Sequence, residues 1–208
     1  MPESDTGMSD KKFEILDCET VYHGFFRLEK YRLKHTLFQG GWSQEIVREL
    51  FRRGRCVAVL LYDPFLDEVV LIEQFRIGAI FRPDRAWLME IVAGAIEQGE
   101  EPAEVARRES MEEAGCEILD LQLIMEFYTT PGGASEWLSL FYGRVDASKI
   151  GGVYGLEHED EDILVKTVKF DEAYRMLEQG DIDSAIPIIA LQWLFIHRNR
   201  VRQEAGAV

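Results

Sequence analysis

Seven positions between Gly94 and Gly115 do most to limit what this chain can fold into: Gly94, Glu100, Arg108, Glu109, Glu112, Glu113 and Gly115, spaced G-x5-E-x7-R-E-x-x-E-E-x-G. The second half of that segment carries the punctuation of a short helix. Pro102 suits a first helical turn, where its missing N–H is no loss, and Gly115 supplies a left-handed stop just past Ala114. At about 100° per residue, Glu113 lies about 40° and Glu112 about 60° from Glu109, so the three carboxylates share one stripe. Like charges at i,i+3 and i,i+4 each cost roughly 0.2–0.5 kcal/mol, and a helix selected only for solubility would carry Lys among them. A hard divalent cation with oxygen ligands removes the repulsion, which favours a metal site over a solvated face. Ala103, Ala106, Ser110 and Ala114 recur on another side as a small-residue face suited to close packing on a sheet, with the acids expected to face out.

This spacing resembles the signature box of the Nudix hydrolases, which cleave nucleoside diphosphates linked to another moiety. Ser110 stands where that family usually has an aliphatic or small apolar residue; its hydroxyl can bond the carbonyl four residues back. Residues 68–80 (EVVLIEQFRIGAI), 88–99 (LMEIVAGAIEQG), 129–136 (TTPGGASE), 155–163 (GLEHEDEDI) and 185–194 (AIPIIALQWL) further resemble the subgroup of bacterial ADP-ribose pyrophosphatases. The resemblance covers most of the chain from about residue 13 to about residue 200. It implies an α/β fold: a Nudix α/β/α sandwich with a mixed sheet, plus a small N-terminal antiparallel β-sheet domain.

The resemblance also implies a site. Glu109 and Glu113, one turn apart, with Glu161 and the backbone carbonyl of Ala93, would hold two or three Mg2+ ions, Mn2+ being an alternative. Glu112 would flank them in a catalytic role. Glu159 matches the general base that takes the proton of the attacking water, and a loop position suits a base that closes over substrate. His158 attracts attention on pKa grounds but falls off the pattern, and the acidic run 157–162 would by itself read as a solvated loop. Arg76 and Arg48 match positions that contact the phosphates and nucleotide, and Phe25 an aromatic that stacks on adenine; each could instead be an ordinary surface or core residue. Gly132 and Gly133 would permit close backbone approach to ribose and phosphate, with Glu136 a ribose or water-network contact. Arg108 is expected to orient a box carboxylate such as Glu100 through a bidentate pair.

Composition narrows the partners. With 38 Asp and Glu against 23 Lys and Arg, the net charge is -15, which argues against a nucleic-acid or anionic-membrane surface. Cys18, Cys56 and Cys116 are odd in number and lack metal-ligand spacing, so they read as reduced thiols of a cytoplasmic protein. No apolar run is long enough to span a membrane, no signal-peptide pattern appears, and residues 1–12 read as a polar, disordered leader.

Residues 13–22, 25–38 and 42–50 read as antiparallel strands turned at Gly24 and Gly40-Gly41. Three such strands hold too little core to stand alone, so residues 13–51 are expected to form a dimerisation domain. The resemblance implies a homodimer with exchanged N-terminal sheets; the alternative is an extension folded on its own chain. Residues 52–208 are expected to be the catalytic domain, with RCVAVLLYD and EVVLIEQF as a hairpin across Asp63 to Asp67 and helices at Asp171–Gln179 and from Ser184 to about Gln203. The activity implied by the resemblance is Mg2+-dependent hydrolysis of ADP-ribose to AMP and ribose 5-phosphate. The alternatives are a pyrophosphatase for other nucleoside diphosphate sugars and a non-catalytic module that binds ADP-ribose.

Overall fold

A computed structural model describes residues 11–207, apart from the side chain of Glu159. The leader expected over residues 1–12 lies outside the described residues except for Lys11 and Lys12. The chain forms two compact units, one running to Gly54 and including Tyr128–Glu136, the other made of Arg55–Phe127 and the chain from Trp137 onward.

In the first unit β1 (Phe13–His23), β2 (Arg27–His35) and β3 (Ile46–Arg52) pair antiparallel in chain order. Gly40 and Gly41, at φ 89° and 79°, make the β2–β3 turn, a conformation open to glycine at no steric cost. Within the three strands only Glu29 is buried, while Phe13, Ile15, Tyr22 and Val47 are exposed. The sheet thus has apolar residues without an interior of its own, as its size suggested. The segment 128–136 joins this unit through β3: Phe51 N–H donates to Gly133 O (2.8 Å), and Ser135 N–H donates to Phe51 O (3.0 Å).

The second unit is built on an eight-stranded mixed sheet. Its strands are β4 (Arg55–Asp63), β5 (Glu68–Phe75), β6 (Trp87–Glu90), β7 (Val92–Ile96), β8 (Asp120–Tyr128), β9 (Trp137–Arg144), β10 (Gly152–Tyr154) and β11 (Ile163–Lys169). Their order is β10-β11-β5-β4-β9-β8, with β6 on β5 and β7 on β4. β4 and β9 run parallel, whereas β4 pairs antiparallel with β5 and β7. Three helices cover the faces: α1 (Pro102–Ala114), α2 (Phe170–Gln179) and α3 (Ala185–Glu204).

The alternation of β4 divides the core. Val57, Val59 and Leu61 pack with Val105, Ala106 and Ala114 of α1, while Ala58, Leu60 and Tyr62 pack with Ala173 of α2 and Ala190, Leu191 and Leu194 of α3. A strand buried on both faces reads as an unbroken apolar run, which is why CVAVLLY lacks polar alternation.

The β4–β5 turn is fixed by two aspartates. Asp63 Oδ1 accepts the N–H groups of Phe65 (2.8 Å) and Leu66 (3.0 Å). Asp67, at φ 58°, accepts from Tyr62 Oη (2.6 Å) and from Arg198. Arg198 also pairs with Asp171 and lies over the Phe170 ring, 4.5 Å from its centroid, and Arg202 donates to Pro64 O (3.1 Å). The C-terminal half of α3 is thereby clamped to the hairpin. Burial works to raise the Asp67 pKa, but hydrogen bonds from Arg198 and Tyr62 outweigh it and hold the carboxyl below its ordinary value.

Asp67→Ala removes the acceptor shared by Tyr62, Arg198 and Arg202, at a cost of about 2 kcal/mol. Calorimetry at neutral pH should find the melting temperature lowered by about 4–8 °C for a chain of this size. Because the folded-state pKa is depressed, the contribution is present above the ordinary Asp value of 3.8 and is lost as the pH falls, so parent and variant should converge in acid.

Candidate active site

The box folds into a strand, a turn and a helix. Pro102 opens α1, and Gly115 closes it at φ 60°, its N–H donating to Met111 O. A Cβ at Gly115 would strike the Tyr154 ring. Ser110 is fully buried and donates to Ala106 O at 2.7 Å, the backbone bond its hydroxyl permits.

The acids do not face out as the small-residue pattern suggested. Glu113 is only 4% exposed, and its Oε2 accepts the N–H of Ala93 in β7 at 2.9 Å. The Glu109 carboxyl occupies the space where a Cβ at Gly94 would be. The Glu stripe, not only the Ala face, therefore packs on the sheet, and the glycine that opens the box leaves room for the Glu109 carboxylate. Only Glu112 keeps appreciable exposure, at 28% of its side chain.

Arg108 meets box carboxylates as expected, but Glu100 is not the nearest of them. Its Nη1 lies 2.8 Å from Glu112 and 2.9 Å from Glu109, while its Nη2 lies 3.7 Å from Glu100. Glu100 instead accepts Glu97 N–H at 2.8 Å and tightens the turn before the helix. Helix geometry gives the reason, since Glu109 and Glu112 are carried by the same element as Arg108.

Glu161 comes from the acidic loop between β10 and β11. Its Oε2 accepts Leu156 N–H at 3.1 Å. Gly155, at φ 104°, packs so closely that a Cβ there would lie 2.7 Å from Glu161 Cβ. The loop opens with a single 3-10 turn, Glu157–Glu159, followed by Asp160 at φ 56°; the Glu159 backbone belongs to that turn.

Charge couples the three box and loop acids. Burial pushes Glu113 up to about 8; Ala93 N–H opposes the shift, Glu109 and Glu161 add to it, and the charge of Arg76 counters it. Burial likewise pushes Glu109 up to about 7, with Arg108 opposing and Glu112 and Glu161 reinforcing. Among the described residues no three His, Cys, Asp or Glu side chains stand grouped so as to hold a metal ion. The donor chemistry nonetheless fits one: these are hard oxygens with more negative charge than Arg76 and Arg108 offset, the condition that a divalent cation satisfies.

Arg76, at the end of β5, places its Nε 2.7 Å from Glu90 Oε2 in β6. Thus Ala93, Glu109, Glu112, Glu113, Glu161 and Arg76 all belong to the second unit. Phe25, Arg48, Gly132, Gly133 and Glu136 belong to the first. Phe25 is 96% exposed and helps line a cavity of about 300 Å³ with His23, Phe26, Arg27, Arg52 and Arg53. Arg48 donates to its neighbour's carbonyl, Val47 O. Gly132 and Gly133 both have open space where a Cβ would stand. Glu136 is gripped by Arg53 Nε (2.9 Å) and Thr129 Oγ1 (2.8 Å). Sequence reasoning missed Arg53 and Glu90; the signal for Glu90 was a charge inside the apolar strand WLME.

The chain belongs to the Nudix family: residues 52–190 match the family described as NUDIX domain. It is 47% identical over 191 residues to the ADP-ribose pyrophosphatase of Escherichia coli strain K12, covering 92% of this chain and 91% of that one. The ADP-ribose pyrophosphatase of Haemophilus influenzae is 43% identical over 198 residues, covering 94% and 91%. A GDP-mannose pyrophosphatase of Yersinia pestis is 34% identical over 188 residues, covering 89% and 93%. A crystal structure of an ADP compounds hydrolase superposes with a TM-score of 0.67 at 23% identity, covering 95% of this chain and 97% of that chain, and shows the same fold.

Gly94→Ala should displace the Glu109 carboxyl and cut turnover of a nucleoside diphosphate sugar by about a hundredfold while circular dichroism stays that of the parent. The raised pKa values of Glu109 and Glu113 also act on stability. In the metal-free protein the folded state retains protons that the unfolded chain releases near 4.5, so stability is fully present below that pH and is lost as the pH rises to about 8. Melting curves in chelator should fall across this window, and Glu113→Gln should flatten the fall.

Proposed function

We propose that this protein hydrolyses the pyrophosphate bond of ADP-ribose to AMP and ribose 5-phosphate in a Mg2+-dependent reaction without a covalent enzyme intermediate. The observation that carries this reading is the pair Glu109 and Glu113, packed against the β7 backbone with Glu161 beside them. Identity of 43–47% to ADP-ribose pyrophosphatases over nine-tenths of the chain supports the substrate.

Glu109, Glu113, Glu161 and the carbonyl of Ala93 would hold two or three Mg2+ ions, with Mn2+ able to substitute. When bound, such ions neutralise phosphate oxygens and acidify water. Ala93 N–H and the packing under Gly94 fix the carboxylates in advance, so little reorganisation is left for the reacting complex. Arg108 pairs with both Glu109 and Glu112 and offsets part of their charge. Glu159 is assigned as the base that accepts the proton of the attacking water. Arg76 is assigned to the phosphates; Arg48 and Phe25 to the nucleotide; Gly132, Gly133 and Glu136 to the ribose end.

The same proposal takes residues 13–51 as a dimerisation domain exchanged within a homodimer, supported by apolar strand residues that have no interior in the first unit. Three free cysteines are in keeping with a reducing, cytoplasmic setting. Among the described residues no helix is long and apolar enough to cross a membrane. A second reading, hydrolysis of another nucleoside diphosphate sugar, is favoured by the GDP-mannose pyrophosphatase relative. The complete box disfavours a non-catalytic binding module.

Product analysis with Mg2+ and matched ADP-ribose, ADP-glucose and GDP-mannose tests the proposal. AMP and ribose 5-phosphate should appear fastest from ADP-ribose; preference for another sugar would move the second reading to first place. Glu109→Gln should still bind ADP-ribose but lose at least about a hundredfold in kcat, and unchanged turnover would remove Glu109 from the metal set. Sedimentation should give a dimer that Phe13→Glu and Val47→Glu together dissociate.

A further inference from the structure

Arg76 is held in an unusual way for a surface arginine. Its only partner among the described residues is Glu90, engaged through Nε at 2.7 Å. A guanidinium has five N–H donors in a planar fork, so a side-on bond through Nε leaves the whole Nη end presenting donors. That end is the part suited to bidentate recognition of phosphate oxygens. The Arg76 side chain is 42% exposed, and its charge acts on Glu113, so the guanidinium stands within electrostatic reach of the box carboxylates.

Glu90 is itself fixed. Its side chain is 14% exposed; one oxygen accepts from Arg76, and the other accepts Ser184 Oγ at 3.3 Å. Ser184 is the N-cap residue of α3, yet its hydroxyl makes no capping bond. A serine at that place ordinarily caps the helix; here it turns to Glu90. Next to it, Asp183 is gripped by Arg82 Nη1 (3.2 Å) and Arg85 Nη1 (3.5 Å). Both arginines come from residues 81–87 (FRPDRAW), which lead into β6. Arg85 also donates to Gly180 O, and Arg76 N–H donates to Ala86 O at 2.8 Å. The segment before β6 and the α2–α3 connection are thus tied together around the Glu90–Arg76 pair.

We infer that Glu90 is a positioning residue: held by Ser184, it fixes the Arg76 guanidinium through Nε so that its Nη end faces the substrate's pyrophosphate. This inference rests on the phosphate role assigned to Arg76 in the proposed function. It places in the reaction a carboxylate that makes no metal or substrate contact of its own, and it accounts for the 81–87 segment as the buttress of that carboxylate.

The test compares Glu90→Ala, Glu90→Gln, Arg76→Ala and the double variant Arg76→Ala/Glu90→Ala. Glu90→Ala should raise KM for ADP-ribose about tenfold or more with kcat within about twofold. Glu90→Gln keeps an acceptor for Arg76 Nε–H and should recover most of that loss. The double variant should be no worse than Arg76→Ala, because two groups acting through one contact are not additive. Factors that multiply, an unchanged KM in Glu90→Ala, or a loss confined to kcat would overturn the inference. Should Arg76→Ala itself have parental kinetics, the phosphate role and the inference fall together. Should the parent protein cleave no ADP-ribose, NMR of the free protein decides: the Arg76 Nε–H signal should exchange slowly, be lost in Glu90→Ala and persist in Glu90→Gln. Identical signals in all three would overturn the inference without reference to any substrate.

Discussion

The second unit is organised around the burial of two carboxylates that repel one another. Glu109 and Glu113 sit one turn apart against β7, where desolvation alone pushes both toward neutrality. A fold selected for stability would not place them there. The sequence around them is shaped to tolerate the arrangement: a glycine at residue 94 makes room, a backbone N–H at residue 93 satisfies one oxygen, and Arg108 lies across the stripe. Site and fold are here the same problem, because the strand that supplies the N–H is also paired to β4 at the centre of the sheet.

Much of this was legible in the sequence. Pro102 and Gly115 marked the ends of α1 at the residues where it begins and stops. RCVAVLLYD and EVVLIEQF were readable as the two strands of a hairpin, and Gly40-Gly41 marked the turn of the small sheet. Such signals are local, and local backbone preferences decide them. The depth of the acids was not legible, because charged residues on a stripe beside alanines read as a solvent face until β7 is brought up against them. Arg108 illustrates the same limit: it was expected to meet a box carboxylate, with Glu100 the example, while distance favours the two acids on its own helix.

Long-range pairing was the other blind spot. Nothing in TTPGGASE predicts that Gly133 and Ser135 bond to Phe51, about eighty residues away in the chain, or that Arg53 closes on Glu136. The segment was singled out by resemblance rather than by any periodicity of its own, and its attachment to β3 sets the first unit's boundary in space rather than along the sequence. Asp67 belongs to the same class. Its left-handed backbone and its three partners come from β4, α3 and the turn itself, and only the assembled unit brings these together.

Gly115 gives the helix a second meaning. The position that ends α1 is also the seat on which the Tyr154 ring rests, and Tyr154 ends β10, immediately before the loop that carries Glu161. The stop of one acid-bearing element and the launch point of the other are therefore a single mechanical joint. Any side chain larger than hydrogen at residue 115 would act as a wedge, shifting the loop acids relative to the helix acids without touching either set.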